Sequence, residues 1–197
     1  MSNPLFVKAR SRLILDNPFF GTLCLRLKPV EWEDETGATD GVHLFYNPKW
    51  FEKLTDMERI GFLAHEVMHV VLLHITRRNE RHATKWNVAC DYAINNYLIT
   101  EGFILPKGGL VDSQYDDMTA EAIYSILPEP PQGWDGVSVD FGKCGGVLDH
   151  PASDGTSGKT SAIEANLTVA IHQAAEAAKA QGKLSSNMES LISDITD

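Results

Sequence analysis

Residues 65–69 read His-Glu-Val-Met-His. On a helix, residues four apart differ by about 40° in direction, so the two imidazoles share a face and can reach one cation. The glutamate between them is placed to hold a water and take its proton. Imidazole nitrogen suits Zn2+, and a catalytic zinc keeps one of its four positions for water or substrate. The chemistry implied is hydrolysis, with His65 and His69 as ligands, zinc as the cofactor and Glu66 as general base and acid.

Two histidines do not complete a site. Asp91 is the better candidate for the third ligand: it falls mid-helix in Trp-Asn-Val-Ala-Cys-Asp-Tyr-Ala-Ile, residues 86–94, among apolar neighbours. An uncompensated buried carboxylate costs several kcal/mol, so a buried aspartate calls for a cation. Asn87, Asp91 and Asn95 form a polar stripe at i, i+4, i+8. The two asparagines are then expected to orient the histidines or the aspartate from behind. The competing reading pairs Asp91 with Arg77, Arg78 or a helix end. His74 is the nearest further histidine, but on a continuous helix it points about 180° away from His65 and ligates only if that helix breaks early. The pattern that returns a third histidine through a glycine turn is absent. His43, His82 and His172 read most simply as surface residues, and Asp149-His150 carries no assigned role. Tyr92, Tyr97, Tyr115 and Tyr124 include candidate donors to a developing oxyanion, among which the sequence does not choose.

The elements that must position these groups follow from pattern. Thr55-Asp56-Met57-Glu58 is a capping box, and the segment from there to Arg78 runs without proline and is apolar nearly all round, a buried helix of about six turns. Gly61, one turn before His65, permits close approach on the histidine side. A second helix is expected from Trp86 to Glu101, stopped at Gly102. Ahead of these lie an amphipathic helix over 5–16, a strand near Thr22–Pro29 and a second strand over Val42–Tyr46. Behind them come a short helix over Thr119–Leu127, a long Gly-, Asp- and Ser-rich excursion over 132–160, an alanine-rich helix over 161–183 and the start of another helix.

The 197 residues are enough for one domain with a sizeable core. The net charge of −10 argues against nucleic acid as a main partner. No apolar run approaches the ~18 residues of a membrane span, and the N-terminus reads as no signal peptide. Cys24, Cys90 and Cys144 are sparse and unpaired in spacing, as free thiols in a reducing compartment would be. The expected location is the cytoplasm.

Taken in order, the segments TDGVHLFYNP, LAHEVMHVVLLHITRR, WNVACDYAINNYL, GFILPKGGLVD and MTAEAIYSIL resemble the putative metallopeptidase domain carried ahead of a von Willebrand factor A-like domain in bacterial and phage proteins. The resemblance covers most of residues 5–183. It implies an α+β, zincin-like fold, helix-rich with a small sheet beside the active-site helix. It also implies a metal at His65 and His69 and Glu66 as catalytic acid/base. The domain is expected to span 1–183, with 132–160 read from its composition as a functional flap or a poorly ordered stretch, and 184–197 as a tail where a von Willebrand factor A-like domain would begin.

The leading reading is a zinc-dependent endopeptidase whose strand 42–46 offers its edge to an extended polypeptide substrate. A non-catalytic, metal-stabilised interaction module, bound to a phage or ATPase partner, is the reading from another class. Glu66 discriminates between them, because a structural site built of two histidines and an aspartate has no use for it. Hydrolysis of a non-peptide amide or ester fits the motif as well.

Overall fold

The computed structural model describes residues 3–34, 36–129, 146–153 and 157–196. Helix α1 (Pro4–Asp16) begins where Asn3 accepts hydrogen bonds from the Leu5 and Phe6 amides, with Pro4 at a position that needs no donor. Its stripe of Phe6, Ala9 and Leu13 is buried. The next run departs from expectation: Pro18–Arg26 is helix α2, and strand β1 follows at Lys28–Glu31. Pro18 opens a helix as readily as it closes one. Phe19, Phe20, Leu23 and Cys24 are all buried, and a helix covered on several sides shows no period that separates it from a strand.

Strands β2 (Gly37–Thr39) and β3 (His43–Tyr46) complete a three-stranded sheet of order β1-β3-β2. β3 runs parallel to β1 and antiparallel to β2. Both edges of β3 are therefore hydrogen-bonded, which overturns the expectation that 42–46 offers an edge to a peptide. The outer strands are β1 and β2, the latter a Gly-Ala-Thr stretch too short to show an alternating pattern, though all three residues are buried.

After α3 (Pro48–Lys53), the capping box forms as the sequence requires. Thr55 Oγ1 accepts from the Glu58 amide and Glu58 Oε2 accepts from the Thr55 amide. Helix α4 (Asp56–Val71) is buried from Arg59 through Val71. Gly61 is needed there: a Cβ would sit 2.1 Å from the Ile104 carbonyl oxygen, so the chain after α6 crosses directly over this turn.

α4 does not continue to Arg78. Leu73 adopts φ 54°, ψ 28°, a left-handed conformation that costs a leucine on the order of 1–2 kcal/mol, and a separate turn α5 (His74–Arg77) follows. Tertiary bonds offset that cost. Arg77 donates to the Leu72 carbonyl, and the fully buried Trp86 donates its indole N–H to the His74 carbonyl. No glycine or proline marks the break in the sequence.

Helix α6 (Ala83–Thr100) starts three residues ahead of the expected Trp86, because the His82 side chain caps it. It pairs with α4 and carries α7 (Ala120–Ile126) on its other side. α8 (Ser157–Ala180) packs on α2 and α4, and α9 (Ser186–Thr196) adds Met188 and Ile192 to the same core. Of the expected 132–160 excursion, 132–145 and 154–156 lie outside the described residues, and 157–160 opens α8. No helix among the described residues is long and apolar enough to cross a membrane.

Candidate metal centre

α4 and α6 run antiparallel with their polar stripes facing, so His65 meets Asn95, His69 meets Asp91, and His74 meets Trp86. His65 Nε2 and His69 Nε2 are 3.1 Å apart, and Asp91 Oδ1 lies 3.5 Å from each. Donors bound at about 2.0–2.2 Å around a tetrahedral ion are separated by about 3.3–3.6 Å, so both Asp91 separations stand at ligand spacing and the histidine pair is slightly closer. The competing partners of Asp91 are engaged elsewhere: Arg77 pairs with Glu121, and Arg78 with Asp149. Asp91 Oδ1 is buried and accepts no hydrogen bond among the described residues.

The imidazole tautomers point the same way. Asn95 donates its Nδ2 to the Leu110 carbonyl, which turns its oxygen toward His65 Nδ1 at 2.8 Å. His65 Nδ1 must then carry the proton, leaving a lone pair on Nε2. His69 Nδ1 is 3.2 Å from His74 Nδ1. With His69 donating there, its Nε2 is free as well. Two imidazole lone pairs and a carboxylate oxygen converging in a dry interior repel one another unless a cation lies between them.

Glu66 is fully buried and neither carboxylate oxygen has a hydrogen-bond partner among the described residues. Desolvation lifts its pKa to about 8, against the lowering effect of His65. Such a carboxyl can both accept and return a proton near neutral pH.

The sequence profile of the family described as "Putative metallopeptidase domain" matches residues 5–197. The chain belongs to that family. An uncharacterized protein of Thermotoga maritima is 33% identical over 99 residues, a match covering 46% of this chain and 25% of that protein. This metallopeptidase-family chain thus spans about a quarter of the length of the curated relative it matches. No solved structure matches it.

Other predicted residues of this metallopeptidase-family chain lie further out. Asn87, one turn before Asp91, accepts a hydrogen bond from the Val147 amide and has no recorded bond to a histidine or to Asp91 among the described residues. The break at Leu73 turns His74 back toward His69 instead of pointing it away, a placement that a continuous helix hides. His69, His74 and Cys90 form a second group with potential ligand atoms within 4.8 Å of one another, and burial pushes the Cys90 thiol well up. His43 is half-buried and bonded to Asp40, while His82 and His172 are exposed. The Tyr97 hydroxyl donates to Met188 Sδ, and the Tyr124 hydroxyl accepts from the His82 amide, so both are occupied away from the site.

The site is closed. His65, Glu66, His69 and Asp91 are at most 3% exposed, and a cavity of about 760 Å3 beside α6 and α9 is lined by His74 but by none of the four. The histidines also differ in proton affinity. Burial opposes a charge on His65, yet Asp91 and Glu66 overcome it and hold its pKa above the ordinary value. In His69 burial prevails over the same aspartate, and the pKa falls to about 4. A proton therefore competes with a metal at His65 from above pH 6.5 downward, and at His69 only in strong acid. In Glu66→Gln, where Asp91 and Asn95 still oppose the burial of His65, zinc affinity should fall by at most about tenfold per unit between about pH 6.5 and 5. A chelator-competition titration reads this slope, and a loss of about a hundredfold per unit would contradict the difference between the two imidazoles.

Proposed function

We propose that this chain is a zinc-dependent peptidase of α+β, zincin-like architecture. His65, His69 and Asp91 would hold the metal, Asn95 and His74 would fix the two imidazole tautomers, and Glu66 would serve as base and acid. The observation that carries the reading is the pair of Glu66 oxygens, buried beside three convergent donors without a hydrogen-bond partner among the described residues. A module that used the metal only as a staple would bear the desolvation of that carboxylate, several kcal/mol, for nothing. An enzyme uses it.

Zinc at this position supplies Lewis acidity, polarising a carbonyl and acidifying water. Glu66 takes a proton from the attacking water and hands it to the departing amine, whose protonation makes the C–N cleavage irreversible. Asn95 and His74, by accepting the Nδ1 protons, keep both Nε2 lone pairs aimed at one point. The site residues themselves are at most 3% exposed, which keeps bulk water off them and strengthens each charge interaction.

The test is metal analysis of purified protein together with hydrolysis of unfolded casein. About one zinc per chain, and casein cleavage that a chelator stops and zinc restores, is the expected result. Protein that takes up no zinc after supplementation would overturn the reading.

A further inference from the structure

The outer edge of β2 is already occupied. The Thr39 amide donates to the Gly146 carbonyl at 2.9 Å and the Leu148 amide donates to the Thr39 carbonyl at 2.9 Å, a complete parallel bridge between Thr39 and Val147. Val147's own amide turns the other way and reaches Asn87 on α6, one turn before Asp91. Val147 is 9% exposed and belongs to the main core, and the neighbouring Asp149 pairs with Arg78 just after α5. Three residues of extended chain therefore tie the sheet edge to the helix that presents Asp91.

Where this segment lies along α4 can be read from two glycines. A Cβ on Gly37 would strike the Phe62 ring, and one on Gly41 would touch Ile75 Cδ1. The backbone from 37 to 41 thus runs from Phe62 on α4 toward Ile75 on α5. Glu66 shares a helix face with Phe62, one turn on, and that face is turned to β2. The Gly146–Leu148 segment crosses from the sheet edge to α6 at Asn87, one turn from Asp91.

We propose that Gly146–Leu148 is a self-strand that closes the site, filling the place on β2, one turn from Asp91, that an extended peptide would take. The proposal rests on the hydrolase reading for what enters, and on the hydrogen bonds above for what blocks. Main-chain pairing at Thr39 is indifferent to side chains, so the same N–H and C=O that hold Gly146 and Leu148 would hold any extended backbone. Activity is then latent, and release of the segment from Thr39 and Asn87 opens the site.

The geometry supplies a lock. A Cβ on Gly146 would stand 3.6 Å from the Ala38 Cβ, within the usual range for a disulfide. The variant Ala38→Cys/Gly146→Cys, in a Cys144→Ser background that prevents alternative pairing, fastens the segment when oxidised and frees it when reduced. Leu148→Pro removes the amide that donates to Thr39, and Leu148 is 37% exposed, so little packing is lost.

The readout is carbethoxylation of histidines in metal-free protein by diethyl pyrocarbonate, followed residue by residue by mass spectrometry, with exposed His172 as the internal standard. His65 and His69 should react at least tenfold more slowly in the oxidised double cysteine than in its reduced form. They should react at least tenfold faster in Leu148→Pro than in wild type. Equal rates in the oxidised and reduced forms would overturn the proposal, and this comparison stands even if Leu148→Pro fails to fold. The readout needs neither metal nor turnover. Rates that separate while no variant cleaves casein support the self-strand and count only against the hydrolase.

Discussion

Glu66→Gln should retain about one zinc per chain and lose peptide hydrolysis by about 10²–10⁴-fold, the range that general acid–base catalysis contributes. Glutamine keeps the size of the side chain but cannot take the proton of a water. The residue makes no hydrogen bond whose loss would disturb the fold among the described residues. Stability gives an independent check in the metal-free protein. The folded pKa of Glu66, about 8, lies above its value in the unfolded chain because burial penalises the anion. The folded state therefore holds a proton that the unfolded state has released between about pH 4.5 and 8, and wild-type stability falls as pH rises through that window. The glutamine of the variant has no such proton. The melting temperature of Glu66→Gln should exceed that of wild type at about pH 7, with the gap closing toward about pH 4.5. Full hydrolytic activity in this variant would remove Glu66 from the mechanism.

Asp91→Ala should empty the metal centre, whereas His74→Ala should only weaken it. Asp91 offers an oxygen at 3.5 Å from both imidazole Nε2 atoms and supplies the anionic charge of the set. Without it, two neutral imidazoles remain, below the three protein ligands that a catalytic zinc uses. His74 touches His69 on its far nitrogen, 3.2 Å away, and acts on the metal through that ring alone. Removing such a supporting partner typically costs about 10–100-fold in metal affinity. Zinc content and competition titrations of the two variants decide the assignment. If His74→Ala lost its zinc and Asp91→Ala kept it, the third ligand would be His74, and the group of His69, His74 and Cys90 would become the metal centre.

How far each feature can be read in advance depends on how local its cause is. The capping box at Thr55 and Glu58, the exposed turns at Gly102 and Gly182, and the pairing of histidines at i and i+4 are set within one or two helical turns, and they stand where the pattern puts them. Gly61 announces a close approach, but only packing shows that the Ile104 carbonyl makes it. α2 passes for a strand because burial on several sides erases periodicity, and β2 escapes notice because three residues are too few to carry any. The break at Leu73 has no residue of its own. It is imposed from outside, by Trp86 and Arg77 holding carbonyls that a continuous helix would have kept.

The sequence by itself determined which side chains meet between α4 and α6. His65, Glu66 and His69 are placed by helix geometry alone, and Asp91 and Asn95 by a polar stripe that an apolar helix cannot leave unsatisfied. Tertiary structure alone decided three things. It turned His74 back onto His69, it put β3 at the centre of the sheet with β1 and β2 outside it, and it brought Gly146–Leu148 across the outer side of β2 to Asn87. The last two join residues distant in the chain through backbone groups, and the first follows from the His74 carbonyl being taken by the Trp86 indole. Every residue carries the same amide and carbonyl, so no side-chain pattern records where such bonds will form.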